Sequence, residues 1–257
     1  LFPYTTLFRS PLSLTRYEPR MSLTRHSALP LLACLAAAAP ATGAHAGAWA
    51  MEEGATFLSL SYGVSTDDDW DAGTVSLYAA HGLTPRLTFG VTLDQRAVGP
   101  HTLDLFVRRH MTDPEDRLQV AFEVGLEVEL DGHVDDTRGT LSVSSEMGRP
   151  TVAVHLGRGF AWASGTGWID LRIGVDLPTD GGAPLTEVDA YLGLDIGRRG
   201  FASLEVWHDR APSGTYTAFV PGLGLRLNER ATATLRLVHD AAGDVPNSVE
   251  IGTWLEF

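Results

Sequence analysis

The chain has 257 residues, and its 19 Lys plus Arg residues stand against 32 Asp plus Glu residues, a formal net charge of −13. This balance argues against a nucleic-acid-binding protein, because that function needs a basic surface. The mean hydropathy of +0.01 does not exclude a membrane protein, since transmembrane strands that alternate apolar and polar residues average to a value near zero.

The opening of the chain does not look like natural coding sequence. The decapeptide LFPYTTLFRS is similar to the translation of a common sequencing-adapter oligonucleotide, and the residues after it are interpreted as upstream sequence read in frame. Residues 1–20 are therefore interpreted as an assembly artefact.

A signal peptide is predicted over residues 21–46. From a start at Met21, a positively charged region precedes an apolar stretch over 28–39, and Ala44-His45-Ala46 provides a small-x-small cleavage site. At about 12 residues, the apolar stretch is too short to cross a bilayer as a helix. The mature protein is predicted to span 47–257.

The only cysteine in the sequence, Cys34, lies inside the predicted signal peptide. Leu31-Leu32-Ala33-Cys34 loosely resembles a lipobox, which would make the chain a lipoprotein. The short apolar stretch before Cys34 and the apolar residues after it argue against that alternative. The mature chain is therefore expected to contain neither a disulfide nor a reactive thiol.

Most of the remaining sequence alternates between apolar and polar residues, the pattern of β-strands. The clearest example is 118–131, where every second residue is apolar and four carboxylates share the other parity. A helix would spread these carboxylates around its axis, whereas a strand places them on one face. The length suits a tilted membrane strand, which needs about 9–11 residues.

Twelve such segments are predicted. In chain order they cover about 56–64, 73–81, 87–94, 102–110, 118–131, 151–158, 168–177, 187–196, 201–208, 215–227, 231–239 and 248–257. An even number of such strands predicts an all-β protein, a single closed antiparallel transmembrane β-barrel. Ten strands and a soluble sandwich or lipocalin-like barrel are the alternatives. Because the strands use almost all of 47–257, no plug is expected.

The last strand carries a further signal. One of its faces is apolar and ends on an aromatic residue, through Val249, Ile251, Leu255 and Phe257. This pattern resembles the C-terminal insertion signal of bacterial outer-membrane β-barrels. The resemblance implies a location in the outer membrane of a Gram-negative bacterium, contact with outer-membrane lipid, and recognition of the last strand by the barrel-assembly machinery.

A second, shorter resemblance lies in a strand–turn–strand segment. The sequence YAAHGLTPRLT at 78–88 is similar to a segment of the phenol-degradation-associated "MetA-pathway" group of outer-membrane proteins. That resemblance implies the passage of small molecules, aromatic ones included.

Strand parity assigns many charged residues to the lumen. The lumen-lining candidates are Asp94, Asp104, Arg108, Glu123, Glu127, Glu129, Asp170, Arg172, Asp176, Asp189, Asp195, Glu205, Arg226, Arg236 and Glu250. Rings of carboxylates favour cations, so one interpretation is a cation-preferring pore. The other is an ion-paired interior that fills a narrow barrel. The lumenal aromatic residues Tyr78, Phe106, Tyr191, Trp207 and Trp254 could line a channel or block it.

Two further features of the sequence point to possible chemistry, and the first is an acidic loop. The acidic loop formed by Asp67, Asp68, Asp69 and Asp71 is a weak candidate for Ca²⁺ binding, although a solvated loop is the favoured interpretation and no cofactor is expected.

The second feature is a possible hydrolytic site formed by His208 and Asp209, with Ser213 nearby. Some twelve-stranded barrels are phospholipases or lipid A deacylases that use a His with a Ser or Thr. Chance proximity is the favoured interpretation. The predicted function is a non-enzymatic, porin-like channel for small solutes. A closed structural or ligand-binding barrel and a lipid-directed enzyme are the alternatives.

Overall fold

A computed structural model describes residues 47–66, 73–96, 101–130, 134–135, 140–141, 148–162, 165–179, 181–211, 214–243 and 247–257. The predicted signal peptide and the acidic loop at 67–71 lie outside these ranges. None of the described residues belongs to a helix that is long and apolar enough to cross a bilayer.

The regular structure within the described ranges is entirely β. The strands are β1 (Thr56–Ser65), β2 (Thr74–Thr84), β3 (Leu87–Arg96), β4 (His101–His110), β5 (Gln119–Leu130), β6 (Val134–Asp135), β7 (Thr140–Leu141), β8 (Arg149–Trp162), β9 (Gly165–Asp176), β10 (Leu185–Ile196), β11 (Gly200–Ala211), β12 (Gly214–Arg226), β13 (Ala231–Asp240) and β14 (Ser248–Glu256).

Twelve of these strands close into one antiparallel barrel, in which neighbours in sequence pair with each other, β5 pairs with β8, and β1 pairs with β14. The short strands β6 and β7 form a separate two-stranded sheet within the β5–β8 connection. At the seam, the backbone N–H of Phe257 donates to the carbonyl oxygen of Thr56 at 2.9 Å. The prediction of a closed twelve-stranded barrel is confirmed, and the ten-stranded and sandwich alternatives are wrong.

The alternation of residue types places apolar side chains outside and polar ones inside. On β5, Phe122 and Val124 are each 45% exposed, whereas Glu123 between them is 5% exposed. This arrangement reverses that of a water-soluble domain and matches a wall that faces lipid. Barrel strands of nine to fourteen residues are long enough to cross the apolar part of a bilayer at a tilt.

One predicted connection is wrong. The sequence indicates a loop at 159–167, but β8 continues to Trp162, which pairs directly with Gly165 at the start of β9. Glycine-rich sequence usually marks turns, which is why this region looked like a loop. Here Gly159 lies within the strand, paired with Trp168.

The half of the lumen nearer to the chain termini is filled by what we call the aromatic layer. Seven rings follow one another around the lumen with centroid separations of 5.3–6.4 Å: Phe106, Tyr78, Phe57, Trp254, Phe201, Trp168 and Tyr191. Aromatic pairs attract one another at such separations. The rings are almost completely buried, so they constitute the core of the barrel at this level.

Glycines on the neighbouring strands make the aromatic layer possible. Three rings lie directly opposite a glycine, in the pairs Phe106–Gly90, Trp168–Gly193 and Phe201–Gly224. A Cβ atom at any of these glycines would overlap a ring carbon. The absence of a side chain therefore lets each ring lie across the neighbouring strand.

We expect Gly193→Ala to lower the free energy of unfolding by about 1–3 kcal/mol, because the added methyl group would displace the Trp168 ring in a packed interior. Urea unfolding of the refolded barrel in detergent, followed by tryptophan fluorescence, measures the change. In a Trp168→Ala background the same substitution should be nearly neutral, because the ring that it displaces is gone. An equal loss in both backgrounds would contradict this assignment.

Candidate functional site: the barrel lumen

The charged residues predicted to line the lumen all lie on inward-facing positions of their strands. Their side chains range from half-buried to fully buried: Asp94, Asp104, Arg108, Glu123, Glu127, Glu129, Asp170, Arg172, Asp176, Asp189, Asp195, Glu205, Arg226, Arg236 and Glu250. They form several ion-paired groups on different parts of the wall, with a cavity beside the largest group. Whether this set governs the passage of a solute stays a prediction.

The largest group lies at mid-barrel and joins strands β4, β5, β9 and β10. Arg108 donates to Glu123 Oε2 from Nη2 at 2.6 Å and from Nε at 3.0 Å. Arg172 Nη1 lies 2.5 Å from Glu187 Oε2 and 3.3 Å from Asp189 Oδ2. Such charge-assisted hydrogen bonds are what make buried charges tolerable.

A second group crosses β11, β13 and β14. Arg236 lies between Glu205, whose Oε1 is 3.3 Å from Nη1, and Glu250, to which its Nη2 donates. Trp207 also donates from Nε1 to Glu205 Oε2 at 3.2 Å. Removing the guanidinium would leave two carboxylates without this common partner.

Two smaller ion-paired groups lie near the two ends of the barrel. Arg226 Nη2 donates to Asp195 Oδ1 at 2.6 Å, near the end that carries the termini. At the opposite end, Arg149 pairs with Glu127 and lies 3.3 Å from Glu129 Oε1. Each inward arginine of these pairs thus faces at least one inward carboxylate.

Sequence reasoning missed three members of these lumenal groups, namely Arg149, His155 and Glu187. Arg149 lies at the start of β8, a region predicted to be a loop. Glu187 shares strand parity with Asp189 on β10, and His155 alternates with the apolar residues Val154 and Leu156 on β8, so the alternation already contained the signal that would have identified them. Their contacts with partners on other strands could not be read from that alternation.

The main departure from the sequence prediction is a segment that enters the lumen before β1. Within Gly47–Met51, here called the plug segment, Ala48 is 0% exposed and Met51 is 4% exposed. The expectation that the barrel lacks a plug is therefore wrong. The sequence offered one cue, since Ala-Trp-Ala-Met is apolar but shows no strand pattern of its own.

Polar side chains of the wall hold the backbone of the plug segment. The N–H of Ala48 donates to Asp170 Oδ2 at 2.9 Å, and His110 Nδ1 lies 3.1 Å from the Ala48 carbonyl oxygen. Arg108 Nη1 donates to the carbonyl oxygen of Gly47 at 2.9 Å. These contacts come from two strands, β4 and β9, and they fix the segment within the lumen.

The plug segment completes the aromatic layer. The rings of the layer are carried by β1, β2, β4, β9, β10, β11 and β14, and β8 is among the barrel strands that carry none. Trp49 lies over Gly157 on β8, where a Cβ atom would overlap its ring. Trp49 and Ala48 belong to the same buried cluster as the layer. Together, the layer and the plug segment close the lumen at this level.

A cavity of about 90 Å³ lies beside the plug segment. Its lining includes six carboxylates and two guanidinium groups, those of Asp104, Glu123, Glu127, Asp176, Glu187, Asp189, Arg108 and Arg172. The surroundings of this cavity are therefore acidic. Among the residues that the structure describes, no cluster of three or more His, Cys, Asp or Glu side chains is arranged to hold a metal ion.

His208 does not assemble into a hydrolytic site with its neighbour Asp209. Consecutive residues of a strand face opposite sides of the sheet, so His208 points outward from β11 while Asp209 points into the lumen. His208 Nδ1 instead shares a hydrogen bond of 2.9 Å with Thr217 Oγ1 on β12. Ser213 lies outside the described residues. This geometry supports chance proximity in the sequence.

The predicted insertion signal lies at the seam of the barrel. Val249, Ile251 and Leu255 face outward from β14, where they pair with outward residues of β1, and Ile251 and Phe257 are well exposed. Their recognition by an assembly machinery stays a prediction.

No protein-family model matches this chain, and no curated protein matches it. Solved structures do match. The KdgM porin aligns with a TM-score of 0.56 and 8% identity, over 78% of this chain and 99% of the porin. The NanC porin aligns with a TM-score of 0.57 and 13% identity, over 77% of this chain and 98% of the porin. The chain has the fold of these porins.

The same porin fold also aligns in a second KdgM structure, in complex with disordered oligogalacturonate. There the TM-score is 0.54 and the identity 6%, over 78% of this chain and 99% of that chain. At these identities the likeness establishes the barrel architecture.

We expect Arg236→Met to lower the free energy of unfolding by about 3–5 kcal/mol, because it leaves two lumenal carboxylates without their shared cation. The matched variant Arg86→Met breaks a pair with Asp113 in which both side chains are more than half exposed, and should cost less than about 1 kcal/mol. Urea unfolding in detergent compares the two. Similar losses would mean that the interior pair contributes no more than a surface pair.

Proposed function

We propose that this protein is a non-enzymatic outer-membrane channel for small solutes, and that the structure describes its closed state. The proposal rests on the kind of structure that closes the lumen, which is the aromatic layer together with the plug segment. Part of it is the plug segment, a stretch of chain that belongs to no strand and is held by hydrogen bonds to the wall. A stretch of this kind can leave the lumen without breaking the barrel.

The outer surface and the fold of the barrel support a membrane location. Its outer surface is apolar along the strands, and its fold is that of bacterial porins. A closed barrel pairs all of its strand edges, which is what a sheet exposed to lipid requires. We place the protein in the outer membrane of a Gram-negative bacterium. The predicted signal peptide would direct its export across the inner membrane and then be cleaved.

The charge of the lumen supports a preference for cations. Carboxylates outnumber guanidinium groups around the central cavity by six to two, and such an excess attracts cations and repels anions. One similar porin is described in complex with disordered oligogalacturonate, a polyanion. An acidic lumen would disfavour that class of solute, so we do not assign it to this chain.

A closed structural barrel is the second candidate. It is favoured by the dense packing of the lumen, where the aromatic layer and the ion-paired groups leave a cavity of about 90 Å³ beside the plug segment. No contact of His208 favours the lipid-directed enzyme. Passage of small aromatic molecules, implied by the segment at 78–88, stays a prediction.

Removing the plug segment should open the channel. We expect the refolded 52–257 protein to give discrete single-channel steps in a planar bilayer, with a cation-selective reversal potential in a KCl gradient. The 47–257 protein should be mostly silent under the same conditions. If folded and inserted 52–257 protein is also silent, the aromatic layer and the ion pairs alone close the barrel, and the structural candidate replaces the channel.

Neutralising a cavity carboxylate should weaken the cation preference. In the 52–257 background, we expect Asp104→Asn to shift the reversal potential towards zero, because it removes one negative charge from the cavity lining. Glu115→Gln is the matched control, since it removes the same charge from an exposed residue in the β4–β5 connection. Equal shifts from both variants would show that overall charge, and not the lumen, sets the selectivity.

A further inference from the structure

We propose that the lumen contains a binding site for the amino terminus of the mature protein, in which the α-ammonium group of Gly47 lies between Asp170 and His155. Cleavage after Ala46 would create this group, and its binding would anchor the plug segment. The proposal concerns the processed chain and does not depend on whether the barrel conducts.

The first argument is that two buried polar atoms face this position without a partner. Asp170 Oδ1 and His155 Nδ1 form no hydrogen bond with any part of the chain that the structure describes. Their residues are 1% and 2% exposed. Leaving a buried polar atom without a hydrogen bond destabilises the folded state, so a site with two such acceptors calls for a donor.

The remaining polar atoms of both side chains already have neighbours. Asp170 Oδ2 accepts the N–H of Ala48 at 2.9 Å. His155 Nε2 forms no hydrogen bond within the described residues either, but it lies 3.3 Å from Glu123 Oε2, within ion-pair distance. If the neutral imidazole carries its proton on Nε2, facing that carboxylate, then Nδ1 presents a lone pair. Asp170 Oδ1 and His155 Nδ1 are therefore both acceptors.

Both acceptors lie close to Gly47. A Cβ atom built on this glycine would be 2.9 Å from His155 Nδ1 and 3.5 Å from Asp170 Oδ1. That position shares its Cα with the Gly47 nitrogen, so both acceptors lie beside the residue that carries the amino group. The short distance to the imidazole also explains why the position suits glycine, since any side chain would press against the ring.

An α-ammonium group fits these acceptors better than a peptide N–H does. It has three donors and a positive charge, whereas the amide of an uncleaved chain offers one donor and no charge. The charges around the site also favour a cation. The ionisable groups next to it include four buried carboxylates but two guanidinium groups: Glu123, Asp170, Glu187, Asp189, Arg108 and Arg172.

Binding at this point would set the position of the whole plug segment. Directly after it, the Gly47 carbonyl oxygen accepts from Arg108 and the Ala48 N–H donates to Asp170. Trp49 then reaches Gly157 and completes the aromatic layer. Signal-peptide cleavage would thus supply the group that holds the plug in place.

The sequence allows a direct test, because it contains no lysine and the α-amino group is the only primary amine of the mature chain. The protein would be extracted from outer membranes, its intact mass determined, and its amino group labelled with an amine-reactive ester. We expect a mass that starts at Gly47. We also expect labelling about tenfold or more slower in the folded barrel than in urea, because labelling requires local opening of a buried segment.

Variants show whether the slow labelling is caused by binding at Asp170 or only by burial of the plug segment. Asp170→Asn keeps the shape of the side chain but removes its charge, and should abolish most of the protection. Glu250→Gln removes a lumenal carboxylate from the separate group around Arg236 and should retain it. Should Asp170→Asn fail to fold, Gly47→Ala replaces it, because its methyl group would meet the His155 ring while the substituted residue itself lies outside the strands.

The proposal is overturned by a mature chain that begins elsewhere, by equal labelling of folded and unfolded protein, or by unchanged protection in both the Asp170 and the Gly47 variants. None of these readouts uses conductance. The proposal of an amino-terminal site and the proposal of a channel are therefore tested independently of each other.

Discussion

The structure depends on one constraint, which is that the polar face of every strand points into a narrow closed space. A wall that presents apolar side chains outward on all twelve strands must direct the alternate residues into the lumen. Charges confined there need partners close by, because burial without them is costly. The ion pairs of Arg108, Arg172, Arg226 and Arg236 are the consequence. They join inward residues of paired strands or of strands one apart in the barrel.

The lumen is filled in two different ways at two levels along the barrel axis. Towards the end that carries the termini, aromatic rings lie across glycines of neighbouring strands and leave little space for solvent. Beyond that level, charged side chains of nearby strands pair with one another and surround the acidic cavity. The wall beside β8 lacks a ring of its own, and the plug segment fills that gap.

This division shows why a porin fold alone does not define a pore. Barrel architecture follows from strand number and closure, whereas an open path depends on which side chains occupy the interior. Here the block is shared between residues of the wall and a segment that precedes the first strand. The second part can move without loss of strand pairing, so in the proposed channel it is the part that would leave the lumen on opening.

The sequence by itself determined the strands, their number and the face that each residue occupies, because alternation is a local property that any one strand carries. Glu123, Asp170 and Arg172 could be assigned to the lumen on that basis. The ends of β8 and β9 could not, since glycines inside these strands resemble a turn. Only the tertiary structure decided the place of Gly47–Met51. The segment repeats no pattern, and its contact from Ala48 to Asp170 spans 122 residues, which only closure of the barrel brings together.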